Sequence, residues 1–213
     1  MKRIFISILL LFAAVSSFAQ KRVYLNYTRV YSENVFVIEE EGQPIVYYQI
    51  ANFEQPEDTL YFVLDKADCE ALREYLCDIK EVYARWTSAA RSKKVGELTR
   101  DIELEAPSLR MMWVSRHVPA WDFRPVSSLP NYARRTSEFQ PVFNSFKSGH
   151  TTIHLYATLM SDGTEDYRVD ILLQNMHVID KHIKRLNWKT FMRQYEKAKK
   201  QYSEEELDEI FKY

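Results

Sequence analysis

The stretch Leu72-Arg73-Glu74-Tyr75-Leu76-Cys77-Asp78-Ile79-Lys80-Glu81-Val82-Tyr83-Ala84-Arg85-Trp86 places large apolar side chains at 72, 75, 76, 79, 82, 83 and 86. Steps of three and four residues put all of them on one face of an α-helix. That face predicts packing against a sheet. Asp65 is placed to cap the helix, and Asp68 in its first turn suits the helix dipole. The helix is expected to run to about Arg91, before Ser92-Lys93-Lys94-Val95-Gly96 ends it. It also decides the state of the two cysteines. Eight residues separate Cys69 from Cys77, about 12 Å along a helix axis, whereas bridged Cα atoms lie within about 7 Å. Two buried free thiols are expected, with an intermolecular bridge as the alternative in an oxidising compartment.

Outward from the helix, the chain reads mostly as strands. Val23–Val30 alternates loosely. Val35–Ile38 and Ile45–Ile50 are β-rich runs joined by a loop over Glu39–Pro44, and Leu60–Leu64 is a third run. After the helix, Glu97–Glu105 and Leu109–Ser115 are strand-like. The stretch from His117 to Arg135 carries Pro119, Pro125 and Pro130, which disfavours regular structure. Phe139–Phe146 is extended, with Pro141 pointing to an edge or an early strand position. Thr151–Met160 and Asp166–Leu173 flank Ser161-Asp162-Gly163-Thr164-Glu165, a strong hairpin signal. Helical periodicity returns over Met176–Leu186. Asn187 can cap a helix starting at Trp188, and Ser203-Glu204-Glu205-Glu206 reads as a capping box opening a separate short helix. The order predicts an α+β fold, a mainly antiparallel sheet packed on one long amphipathic helix, with C-terminal helices at about 176–212.

Residues 1–19 read as a secretory signal peptide: Met1-Lys2-Arg3, an apolar run from Ile4 to Val15, then Ser17-Phe18-Ala19 at the cleavage position. The run is too short for a membrane span, which needs about 20 residues, and no later segment approaches that length. Residues 20–213 are then a single exported domain, periplasmic or extracellular. Loss of Lys2 and Arg3 takes the formal charge from −1 to −3. That balance, with export, argues against a nucleic-acid partner. The chain has four glycines, at 42, 96, 149 and 163. Phosphate-cradling loops need several close together, so no nucleotide cofactor is expected.

No catalytic motif stands out. His150 and His154 belong to a strand-like run, where a four-residue separation is about 13 Å, too far for both to reach one zinc at about 2 Å. A partner for His154 has to come from another strand. His177 and His182 point about 140° apart on a helix, so no metal site is expected. Glu103 with Glu105, and Asp166 with Asp170, share strand faces, but alternating charges usually mark a wet face. Binding fits better. The irregular segment supplies Arg116, His117, Trp121, Asp122 and Arg124 as the expected contact set, with Trp121 as anchor and Arg124 as polar clamp; Trp and Arg are enriched in hot spots, and binding residues favour loops. The C-terminus splits into a basic block (Lys181 to Lys200) and an acidic one (Glu204 to Glu209).

The stretch Tyr83-Ala84-Arg85-Trp86-Thr87-Ser88-Ala89-Ala90-Arg91-Ser92-Lys93-Lys94-Val95 resembles a segment in small exported bacterial proteins of unknown function. The resemblance implies an exported bacterial domain and no activity or site residue. The chain is expected to be an exported binding or interaction protein without catalysis or cofactor, its partner another exported protein or an envelope glycan. The alternative is a small hydrolase acting on envelope glycan or peptide.

Overall fold

In this computed structural model the described residues are 23–26, 35–51, 59–114, 133–159 and 167–210. Helix α1 spans Lys66–Ser92 and buries Leu72, Tyr75, Leu76, Ile79 and Tyr83 of the predicted stripe, together with Cys69, while Val82 and Trp86 pack half-buried against the same core. Asp65 caps it, its carboxylate accepting the Asp68 N–H at 2.8 Å. At the other end Lys94 takes the left-handed conformation, φ 50°, and the Val95 N–H reaches back to the Ala90 carbonyl at 2.9 Å. The left-handed residue is thus a lysine, two positions before the glycine.

Nine strands are described: β1 Val23–Asn26, β2 Val35–Glu40, β3 Gln43–Ala51, β4 Thr59–Leu64, β5 Leu98–Asp101, β6 Arg110–Val114, β7 Ala133–Ser145, β8 Thr151–Leu159 and β9 Tyr167–Leu172. Every pairing is antiparallel, in the order β1-β2-β3-β4-β6-β7-β8-β9, with β5 attached to β7. Helix α2 spans Met176–Arg185 and α3 Trp188–Ile210. The fold is therefore α+β, an antiparallel sheet on a long helix with helices at the C-terminus.

Five local expectations are corrected. The loop expected over Glu39–Pro44 is a two-residue turn, Glu41-Gly42, between paired Glu40 and Gln43. Both turn residues have positive φ, 51° and 77°, as a tight hairpin demands. The strand expected over Glu97–Glu105 shrinks to Leu98–Asp101, because only there does β5 pair with β7. β7 begins at Ala133, inside the stretch expected to be irregular, and the break expected at Ser203 is absent: α3 is continuous to Ile210. A capping box needs its first residue to leave helical geometry, and no glycine or proline near 203 forces that. Pro141 lies mid-strand rather than near an end. Its carbonyl accepts from the Ile102 N–H at 2.8 Å, so its missing N–H also points away from β8. The β5 ladder stops at Val142, and the missing donor therefore interrupts no ladder.

The long helix sits on one face of the sheet. Val46, Tyr48, Phe62, Leu64, Phe143, Ile153 and Leu155 join its stripe in the main core. Burial of these groups, at roughly 25 cal/mol per Å² of apolar surface, is the chief stabilising contribution. Directional contacts set the fit: the Tyr83 hydroxyl bonds the Thr151 carbonyl at 2.9 Å, and Trp86 meets Phe143 edge-on at 5.6 Å. Strands β2–β4 are buried on both faces. Phe36, Ile38, Ile45, Tyr47, Tyr61, Val63 and Met112 form a second cluster on the face away from α1, with Phe36 and Tyr47 stacked at 4.8 Å. Two-sided burial explains why these strands read as continuous apolar runs.

Helix α2 is capped by Asn175, whose side chain accepts from the N–H groups of His177 and Val178. It is tied to α1 by Lys80 and Asp180 at 2.6 Å. Helix α3 is capped by Asn187, as expected, through the Thr190 N–H at 3.0 Å. It buries Phe191 and Tyr195 and is pinned to β2, where Glu39 accepts from the Tyr195 hydroxyl at 2.6 Å and from Lys199 at 2.9 Å.

Candidate functional site

An open groove of about 870 Å³ lies where the β2–β3 turn, the start of α1, β6 and the start of α3 converge. Trp188 and Met192, one helical turn apart on α3, form one wall. Pro44 and Ile45 from β3 add apolar surface, and Asp65 and Lys66 at the start of α1 face it. Glu40 and Arg110 supply a charge pair. Their atoms approach to 3.6 Å, while the other Glu40 oxygen accepts from the Tyr47 hydroxyl at 2.7 Å. Both oxygens of Glu40 are thereby engaged, which fixes the carboxylate and aims the Arg110 guanidinium. An apolar wall beside a fixed cation and a few polar groups is the usual composition of a ligand site.

Three other polar clusters were legible as residues but not as arrangements. His154 and Asp170 meet across β8 and β9, with Nδ1 at 3.0 and 2.9 Å from the two carboxylate oxygens. The partner of His154 does come from another strand. Asp170 is 3% exposed, so the wet face expected for it is corrected: the imidazole offsets the cost of burying the carboxylate. Tyr156 stacks on His154 at 6.0 Å. His150 lies apart, exposed at the β7–β8 turn and stacked on Phe146 at 6.1 Å.

The second cluster is internal. The Tyr48 hydroxyl lies 2.8 Å from His182 Nδ1 in the main core. Burial, with a smaller contribution from Lys181, depresses the His182 pKa to about 4. Burial also pushes the Tyr48 phenol up, so the pair is neutral. The adjoining void is only about 10 Å³, at the lower limit for a single water, and accepts no ligand. His177 is exposed, facing away from His182 as expected. In the third cluster, Glu103 and Glu105 are exposed, lying in the non-strand segment after β5.

Cys69 is buried, with its thiol raised to about 12 by burial first and Glu70 second. Cys77 is half-buried rather than buried. No group of three or more metal-ligating side chains occurs among the described residues, and no described helix is long and apolar enough to cross a membrane.

The contact set expected from the sequence, Arg116, His117, Trp121, Asp122 and Arg124, lies outside the described residues. Sequence reasoning missed Trp188, Met192 and Arg110. The available signal was Trp188 and Met192 at i, i+4, offset from the Phe191–Tyr195 core stripe. The chain matches no family model, no characterised protein and no solved structure.

Proposed function

We propose that the mature chain is an exported, soluble binding protein of the bacterial cell envelope, holding another exported protein or an envelope glycan. The groove supports this reading best, and the observation that carries it is the pairing of the Trp188–Met192 wall with the fixed Glu40–Arg110 pair in about 870 Å³ of open space. Such a volume falls within the range of about 300–1,000 Å³ typical of ligand sites. Trp and Arg supply large contact area and directional hydrogen bonds. The Trp121–Arg124 segment remains a second proposed contact.

The test is recovery of envelope components on immobilised residues 20–213. Trp188→Ala, and separately the rim variant Lys66→Ala with Gln43→Ala, are expected to lose the partner that wild type retains. Far-UV circular dichroism checks that each variant is folded. Unchanged recovery by both groove variants refutes the assignment. Loss only in Trp121→Ala with Arg124→Ala moves the site to that segment.

A hydrolase acting on envelope glycan or peptide is the second reading, favoured by the His154–Asp170 pair. A carboxylate on Nδ1 orients an imidazole as a general base. It ranks second because neither residue lines the groove. Hydrolysis of envelope glycan by wild type and its loss in His154→Ala would reverse the order.

A further inference from the structure

We propose that the outer face of α3 docks a linear anionic glycan, an envelope polysaccharide carrying carboxylate or phosphate groups. Lys189, Arg193 and Lys197 follow one another at four-residue steps and are all exposed. Each step rises about 6 Å, so the row spans about 12 Å along one side of the helix. None of the three has an acidic partner among the described residues. The next cation, Lys199, is spent on Glu39, and Glu196 is the one acid between Trp188 and Lys200.

The row is held in place from behind. Phe191 and Tyr195 are buried on the opposite side of the helix, so α3 cannot rotate to hide its cations. Nor does the row follow from general basicity, since the chain carries slightly more acid than base. A local cationic row on a near-neutral protein draws polyanions over a range set by the Debye length.

The shape of the row selects the shape of the occupant. Its three cations stand in single file along one side of the helix rather than as a broad patch. A narrow polymer carrying repeated anionic groups can follow that line. None of the three cations lines the groove, so the surface stands independently of the groove reading.

The test is fluorescence anisotropy of labelled oligogalacturonate and labelled polyphosphate titrated with residues 20–213. Wild type is expected to bind at least one of them, at least about tenfold more weakly in about 250 mM than in about 25 mM salt. Lys189→Gln with Arg193→Gln and Lys197→Gln is expected to weaken binding at least about tenfold, with the thermal melt unchanged. Arg73→Gln with Arg85→Gln, exposed on α1, is expected to bind as wild type does. The proposal is overturned if neither polymer binds in low salt, if the triple variant binds like wild type, if the Arg73/Arg85 control weakens equally, or if phosphatidylglycerol vesicles bind where the soluble polymers do not. Retention of the groove partner by the triple variant separates the two sites.

Discussion

Acid should loosen this protein through one residue, His182. Its ring lies in the core, 2.8 Å from the Tyr48 hydroxyl. Surrounding it are Ile50, Phe62, Leu72, Leu76, Leu155, Ile171, Leu173 and Leu186, all apolar. The titratable groups near the pair are Tyr48 from β3, Cys69 from α1 beside Tyr48, and Lys181 on its own helix, and none supplies a negative charge for an imidazolium. The folded pKa is about 4 against an ordinary value of 6.5. The unfolded chain therefore takes up the proton first. Stability is complete above pH 6.5 and is lost as pH falls through 6.5 towards 4. Linkage over that gap gives about 2 kcal/mol lost between pH 7.5 and pH 5, approaching about 3 kcal/mol below pH 4. Against a total of about 5–15 kcal/mol, that is a large fraction. Urea unfolding at both pH values, followed by tryptophan fluorescence, measures it. The reference is Tyr48→Phe with His182→Leu, which removes both polar partners and avoids orphaning either one. Its stability should change between the two pH values by about 2 kcal/mol less than that of wild type. An equal acid loss in both proteins would refute the assignment of the loss to His182.

Two further outcomes follow from α1. Ile79 is completely buried, so Ile79→Ala should cost about 2–5 kcal/mol in urea unfolding, while Glu81→Ala on the exposed side stays within about 0.5 kcal/mol; equal effects would contradict the packing of this face. In thiol labelling with an aromatic disulfide reagent, Cys69 should be silent in the native state, because burial both shields it and raises its pKa to about 12. The denatured, unreduced monomer should yield two thiols, and finding none would contradict a helix that carries both cysteines.

The helix and most strands were legible because their signals are local. The 72–86 stripe repeats at helical spacing, and Leu60–Leu64 is a short apolar run with β-branched and aromatic residues. The misreadings fall where a local signal meets a nonlocal condition. Ser203-Glu204-Glu205-Glu206 has the chemistry of a cap, yet the helix entering from Lys199 and Lys200 meets no residue that stops it. Asp170 alternates like a surface residue, but its neighbour across β8 is an imidazole that lets it be buried. Glu103 and Glu105 look like strand residues, but the β5–β7 ladder ends at Asp101, before them. The groove is harder still. Its walls come from positions 40, 41, 43–45, 65–67, 110, 188 and 192, which only the sheet order and the return of α3 bring together. No motif scan joins residues separated in that way.

What sets the geometry of the groove is the seating of α3, and two kinds of contact share that task unequally. Phe191 and Tyr195 bury apolar surface against the sheet, Phe191 beside Tyr48, which holds the helix down. Glu39 supplies direction. It accepts from both Tyr195 and Lys199, one turn apart, and those two bonds hold its pKa below the usual carboxylate value. At nearly half exposure for Glu39 and over half for Lys199, the ion pair contributes little to stability. Its effect is positional: Glu39 holds α3, while Glu40, on the opposite side of the same strand, holds Arg110. Two adjacent residues at the end of β2 therefore reach two of the elements that line the groove. The apolar contacts seat α3 on the sheet, and Glu39 adds the directional ones.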